Sequence, residues 1–244
     1  MRLDEVLRRL EPLPAALPEG PAALLPVILD AGGPRPRPSW PAPDGTSRPA
    51  AVLILLYPDD EGEARVVLTE RADRGGHHSG EVSFPGGRAE PGDADVTGTA
   101  LREAAEEIGL DPAEADLRVL GTLPVQWIPV SNYTVTPVVA VAARRPSMTL
   151  QASEVAAILE PAVGAFLPDG DLVIVERELR GWPLRYAAYP VEGLRVWGMT
   201  ARVLGGLGAY LDGAPAPGAR SDDPDAWPPT TPTPWLSSPP PEGA

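Results

Sequence analysis

The sequence predicts an α+β fold, and three observations carry that reading. Short runs rich in Val, Ile, Leu and Tyr, bounded by Gly, Pro, Asp and Asn, recur between residues 51 and 190. Helical apolar spacing is strongest over residues 95–108 and 198–211. The two kinds of element do not alternate regularly, which argues against a simple parallel wound sheet.

Taken in order, residues 1–48 form an N-terminal amphipathic segment and a Pro-rich arm. Leu3, Val6, Leu7 and Leu10 share one side, and the stretch PRPRPSWPAP disfavours helix and sheet interiors, as in a linker or a wrapping arm. Residues 49–212 hold the folded domain. Ala51–Tyr57 and Arg65–Glu70 read as strands joined by a turn at Pro58-Asp59-Asp60-Glu61-Gly62. A helix is expected over Asp95–Ile108, with Asp95 as its N-cap and Gly109 taking the left-handed conformation past its end. Asp111-Pro112-Ala113-Glu114 has the cap, proline and acid of a short helical turn. Leu117–Gln126 and Thr134–Ala142 read as strands, and Ser153–Leu159 as a helix. Leu172–Glu176 and Tyr186–Pro190 read as strands around a Gly181-Trp182-Pro183 turn. The last helix runs from about Gly198 to Leu211, with Ala201, Leu204 and Leu207 available to pack. Residues 213–244 are mainly Pro, Gly, Ala, Ser and Thr, the composition of a disordered or extended tail.

Composition excludes several function classes. There is no cysteine, hence no disulfide framework, thiolate metal site or catalytic thiol. A formal charge of −14 argues against nonspecific nucleic-acid binding, which needs basic surface. The longest apolar run, Ala50–Tyr57, is far short of the about twenty residues that cross a bilayer. The first residues carry Asp4, Glu5 and Glu11 among arginines and lack a signal-peptide apolar core. A cytoplasmic location is the expectation.

The most informative stretch is FPGGRAEPGDADVTGTALREAAEEIGL, Phe84 to Leu110. On a helix turning about 100° per residue, Glu103, Glu106 and Glu107 cluster on one side. Leu101, Ala104, Ala105 and Ile108 fall opposite, the face expected to be buried. Like charges this close repel. Either they are a solvated face, or a divalent cation turns the repulsion into coordination; oxygen-only ligands suit Mg²⁺ or Mn²⁺. Gly86 and Gly87 just upstream let the backbone turn and approach a ligand closely.

This block resembles the Nudix box: a glycine, five residues, an acid, a spacer, then Arg-Glu-apolar-x-Glu-Glu-x-Gly-apolar. Here Gly87 and Asp93 are followed by Arg102-Glu103-Ala104-Ala105-Glu106-Glu107-Ile108-Gly109-Leu110. The spacer is one residue longer than the family pattern and the first acid is Asp93 rather than glutamate, so Asp93 is left out of the candidate set. The longer spacer is similar to that of the coenzyme A pyrophosphatase branch. That branch carries an upstream motif matched here by Leu68-Thr69-Glu70-Arg71-Ala72, Gly80 and Phe84-Pro85-Gly86-Gly87, with Gly76 standing where the motif has arginine. Ser131-Asn132-Tyr133-Thr134-Val135-Thr136-Pro137-Val138-Val139 and Val196-Trp197-Gly198-Met199-Thr200-Ala201 resemble its later segments.

The resemblance implies a mixed, twisted sheet between helices, the α/β/α sandwich of Nudix proteins. It implies metal-dependent hydrolysis of the diphosphate bond of coenzyme A or acyl-CoA, giving 3′,5′-ADP and 4′-phosphopantetheine or its acylated form. Gly76 leaves open another nucleoside diphosphate derivative, such as ADP-ribose or a dinucleotide. An inactive nucleotide-binding domain is the other alternative, against which stand the retained carboxylates. Glu103 and Glu107 are the implied principal metal ligands, with Glu106 sharing a cation and the Gly87 carbonyl adding an oxygen. Arg102 orients a glutamate, and Glu154 stands where the family often draws a general base. Arg71, Arg74 and Arg88 are candidate phosphate partners. His77 and His78 are loop residues or phosphate contacts, and Trp197 and Tyr133 pack or stack on an adenine. The expected partner is a small nucleotide. Family members are often homodimers, though no residue here demands it.

Overall fold

A continuous run of apolar residues from Ala50 to Tyr57 is buried on both faces of one strand, and the rest of the molecule is arranged around it. The computed structural model describes residues 1–30, 33–36, 46–72, 80–128, 131–179 and 181–214. Its elements in chain order are helix α1 (Leu3–Leu10), strands β1 (Val27–Asp30), β2 (Gly33–Pro36), β3 (Arg48–Pro58), β4 (Ala64–Val66), β5 (Leu68–Arg71), β6 (Val82–Ser83) and β7 (Gly86–Arg88), and helix α2 (Val96–Ile108). Strands β8 (Arg118–Thr122), β9 (Gln126–Ile128), β10 (Tyr133–Val141), β11 (Val155–Leu159), β12 (Val173–Leu179), β13 (Trp182–Val191) and β14 (Leu194–Val196) follow, and helix α3 (Gly198–Leu211) closes the set.

The central sheet is mixed. β3 lies parallel to β10, pairing Arg48 with Tyr133 through Leu56 with Val141, while β4 and β7 pair antiparallel to β3, and β8 and β9 to β10. Period-2 alternation splits β3 between two cores. Ala51, Leu53, Leu55 and Tyr57 meet Ala100, Ala104 and Ile108 of α2 on one face. Ala50, Val52, Ile54 and Leu56 meet Leu3, Val6 and Leu10 of α1 and Leu204, Leu207 and Leu211 of α3 on the other. The architecture is therefore α+β, with the mixed sheet sandwiched between helices as expected. A second sheet, ordered β12-β13-β1-β2 with β14 beside β13, and a third, β11-β5-β6, extend the second layer.

Three expectations need correction. Residues 155–159 form strand β11, not a helix: Val155 and Leu159 are buried where β11 pairs antiparallel with β5. Helix-compatible alanines yield there to an available sheet edge. The run 65–70 is broken at Val67, whose N–H donates to Leu55 O, so β4 and β5 belong to different sheets. The run 117–126 is two strands, β8 and β9, on either side of Pro124, which has no N–H to give a ladder. Residues 112–116 form the expected short turn, capped by Asp111 Oδ1 accepting from the N–H groups of Ala113 and Glu114, with Ala115 N–H donating to Asp111 O at 2.9 Å. The Pro-rich residues 37–45 and the tail from 215 onward lie outside the described residues.

Candidate active site

The site is built where β7 runs beside β3 and faces α2. Gly86 has φ of 151°, and a Cβ there would stand 2.4 Å from the Ala51 carbonyl oxygen, so only glycine lets β7 close onto β3. At the next residue a Cβ on Gly87 would fall 2.5 Å from the Glu103 carboxylate. The bare backbone of β7 is thus what gives the α2 glutamates their room. α2 is fixed at both ends: Asp95 caps it by accepting from Gly98 N–H at 2.8 Å, and Gly109, with φ of 63°, ends it.

The face of α2 that packs is rotated from the expected one. Thr99, Ala100, Ala104, Glu107 and Ile108 are buried, while Ala105 is exposed and Leu101 only half-buried. Residues 100, 104, 107 and 108 span one arc of the helix, and residue 105 lies outside it. Glu107 is therefore a buried carboxylate, 6% exposed, and its Oε2 accepts from Gly86 N–H at 3.1 Å.

Arg102 ties the rest together. Its guanidinium donates to both oxygens of Asp93, at 2.9 and 3.2 Å. It also reaches Glu106 Oε2 and Glu103 Oε1, each at 3.1 Å, and Arg88 O at 3.0 Å. Asp93 is held in turn by Glu90 N–H and the Thr99 hydroxyl, both at 2.8 Å. These partners, Arg102 first, hold the Asp93 carboxyl well below the usual carboxylate range. Asp93 is thus a structural member of the site that the lengthened spacer concealed; its place in the box pattern was the signal that could have found it.

Electrostatics push the two inner glutamates the other way. Burial raises Glu107 to about 7, against the Gly86 N–H and the charge of Arg71, with Glu103 and Glu154 adding repulsion. Burial also raises Glu103, opposed by Arg102 and reinforced by Glu106 and Glu154. Arg71, exposed on β5, and Glu154, exposed in the turn before β11, therefore lie within electrostatic reach of the box glutamates. Backbone bonds from Thr149 N–H to Ile108 O and Gln151 N–H to Glu107 O, both 2.8 Å, carry the chain from the end of α2 to Glu154. Arg88 is exposed beside Glu90. Tyr133 lies on β10 under the Arg48 guanidinium, 4.2 Å from its ring centroid, and Trp197 is the N-cap residue of α3. Arg74, Gly76, His77 and His78 lie outside the described residues.

Among the described residues no three acidic, imidazole or thiol groups already stand in a metal-holding arrangement. Glu103 and Glu106 lean on Arg102, and Glu107 on Gly86. The donor chemistry nevertheless fits a hard divalent cation. The donors are all oxygens, burial raises both inner carboxylates despite Arg102 beside Glu103 and Arg71 near Glu107, and a further cation relieves that penalty.

Residues 47–156 match the model of the NUDIX domain. A Shigella flexneri protein named "Uncharacterized Nudix hydrolase NudL" is 35% identical over 170 residues, covering 69% of this chain and 85% of its own length. The chain belongs to the Nudix family. Arabidopsis thaliana supplies two further Nudix relatives, "Nudix hydrolase 15, mitochondrial" at 38% identity and "Nudix hydrolase 22, chloroplastic" at 39%, each over 161 residues and 64% of this chain. The aligned region spans about half of those plant proteins, 55% and 52% respectively. The matched domain begins just before β3 and ends at β11, so the Nudix box, Arg71 and Glu154 all fall within it.

Proposed function

We propose that this Nudix protein is a pyrophosphohydrolase acting on a nucleoside diphosphate derivative, and that the derivative is coenzyme A or acyl-CoA. The observation that carries the reading is the buried Glu107 beside Glu103 and Glu106 on one helix, a charge arrangement that is unfavourable unless it meets a cation. Mg²⁺ or Mn²⁺ would be held by Glu103 and Glu107, with Glu106 and the Gly87 carbonyl completing the set. When bound, the cation supplies charge neutralisation at the diphosphate and acidifies water.

The chain's own groups do the rest. Arg102, anchored by Asp93, positions Glu103 and Glu106. Arg71 offers positive charge to a phosphoryl oxygen opposite the carboxylates, and Arg74, two residues before the Gly76 that replaces the motif arginine, is a second candidate substrate contact. Glu154 accepts the proton of the attacking water as its oxygen bonds to phosphorus. The phosphorus–bridge oxygen bond breaks, leaving 3′,5′-ADP and phosphopantetheine. No helix among the described residues is long and apolar enough to cross a membrane. A second reading, another nucleoside diphosphate derivative such as ADP-ribose, rests on Gly76 in place of the motif arginine.

The test is product analysis after incubation with Mg²⁺ or Mn²⁺ and coenzyme A, acetyl-CoA, ADP-ribose, NADH or diadenosine polyphosphates. Cleavage of the coenzyme A species, lost in Glu107→Gln, is the expected result. Cleavage of ADP-ribose without coenzyme A moves the assignment to the second reading. Tight binding of a nucleotide with no cleavage at all removes the enzyme reading.

A further inference from the structure

The second sheet carries an aromatic and cationic cluster that the chemistry above does not use. Trp197 stacks on Tyr186 with ring centroids 5.1 Å apart and planes at 29°. The Arg177 guanidinium lies over the indole, 4.5 Å from its centroid. Tyr186 is the buried member, 4% exposed, whereas Trp197 is only half-buried and so meets solvent. In the antiparallel register β12 sets Val175 opposite Tyr186 and Arg177 opposite Leu184, so Arg177 stands on the same apolar face. Arg195, exposed on β14, is a second cation near the phenol: burial raises Tyr186, Arg177 and Arg195 draw it down, and Glu81 pushes it up.

This cluster adjoins the catalytic carboxylates through a single hairpin. β14 packs against β6. Glu81, next to β6 and in range of Tyr186, accepts from Arg71 N–H at 3.0 Å. Arg71 is the cation whose charge reaches Glu107. The path from Glu107 to the cluster thus runs by way of β5, β6 and β14. A half-exposed indole with one arginine over its ring, and a second arginine on the neighbouring strand opposite Pro190 and within electrostatic reach of the phenol stacked on it, is chemistry that can hold a nucleobase by stacking and a phosphomonoester by charge. In a chain of formal charge −14, such a local pair of cations is where a polyanion would be retained.

We propose that Trp197, with Arg177 and Arg195, is the subsite for the nucleoside end of the substrate, taking the base on the indole and a ribose phosphate on the arginines. The proposal rests on the hydrolase reading for its substrate, while its binding chemistry can be tested apart from turnover. Titrate the metal-free chain with adenosine 3′,5′-bisphosphate, 5′-AMP and inorganic pyrophosphate, following indole fluorescence and heat. Trp197→Leu is expected to weaken both nucleotides about tenfold, the scale of one base stacked on an aromatic ring. Arg177→Gln and Arg195→Gln should weaken the bisphosphate more than 5′-AMP, and none of the three should alter pyrophosphate binding. In turnover, KM for coenzyme A rises about tenfold in Trp197→Leu and the loss lies in KM rather than kcat, which a packing role alone would not produce.

Wild-type nucleotide affinity in a folded Trp197→Leu variant would overturn the subsite. Should that variant not fold, the exposed Arg177→Gln and Arg195→Gln decide instead, and unchanged bisphosphate affinity in both overturns the subsite. Unchanged KM in all variants of a chain that cleaves coenzyme A removes the subsite and leaves the hydrolase. Nucleotide binding that depends on Trp197, in a chain that cleaves no diphosphate, keeps the subsite and removes the hydrolase.

Discussion

At the scale of single residues, the site is a contest between burial and charge at Glu107. Its carboxyl is pushed up to about 7 by burial, so near neutral pH it is only partly ionised before a cation arrives. Coordination requires the carboxylate, and metal binding must then release a proton. We expect the apparent Mn²⁺ affinity to rise with pH from 5 to about 7 and to level off above it; calorimetry in buffers of different ionisation heat would count the proton. A flat profile would show that Glu107 is not a ligand. The same shift predicts the stability of the metal-free chain. Because the folded pKa exceeds the unfolded one, this group favours folding below about pH 4.5 and the benefit is lost as pH rises through about 7. Glu107→Gln keeps an acceptor for Gly86 N–H but no charge. In chelator at pH 8 it should therefore melt at or above wild type while losing activity by orders of magnitude. A lower melting point would contradict the burial argument. Asp93 acts in the opposite sense, since its depressed carboxyl favours folding above its unfolded pKa and that benefit disappears only in strong acid. Asp93→Asn should loosen Arg102 and lower kcat about 10- to 100-fold, the usual cost of removing an outer partner of a metal ligand. Unchanged kcat would mean that Arg102 needs no anchor.

At the scale of elements, α2 was legible because its signals are local: Asp95 caps it, Gly109 ends it, and the observed helix begins one residue after the cap. β11 was not legible, because Val155 to Leu159 has the composition of a short helix and becomes a strand only through its pairing with β5. Which face of α2 is buried was likewise only half readable. Periodicity gives an arc, but the partner decides its centre, and β3 draws Glu107 inward while leaving Ala105 in solvent. Arg102 was readable as a residue that orients a glutamate, whereas its bond to Asp93 depends on how the loop from Arg88 to Asp95 folds back. β7 gives two substitutions that separate fold from site. Gly86→Ala puts a methyl 2.4 Å from a backbone oxygen at a φ of 151° and should cost about 1–3 kcal/mol of stability. Gly87→Ala meets instead the movable Glu103 carboxylate at 2.5 Å. It should spare most stability and lose most activity. Denaturant melts with parallel assays would check both, and equal damage to stability in the two variants would refute the distinction.

At the scale of the whole molecule, the apolar layer behind the central sheet joins α1, β3, β10, β13 and α3 into one connected core. Leu10 in α1 is fully buried in it, and α1 is tied to the β3–β4 turn by Leu3 N–H donating to Gly62 O at 3.0 Å. The proline density after Asp30 suggested an arm, and the apolar spacing of Leu3, Val6 and Leu10 suggested packing; composition alone does not rank them. Free energy does. A buried leucine in a close-packed core costs about 2–5 kcal/mol when cut to alanine, whereas the same change on a loosely held arm costs almost nothing. We expect Leu10→Ala to lie in the first range, with one transition seen alike by far-ultraviolet dichroism and by tryptophan fluorescence. Since α2 packs on the opposite face of β3, Mn²⁺ binding should survive in the folded fraction. An early transition confined to one probe, with the rest of the chain melting as before, would mean that the N-terminal helix docks on a domain that folds without it.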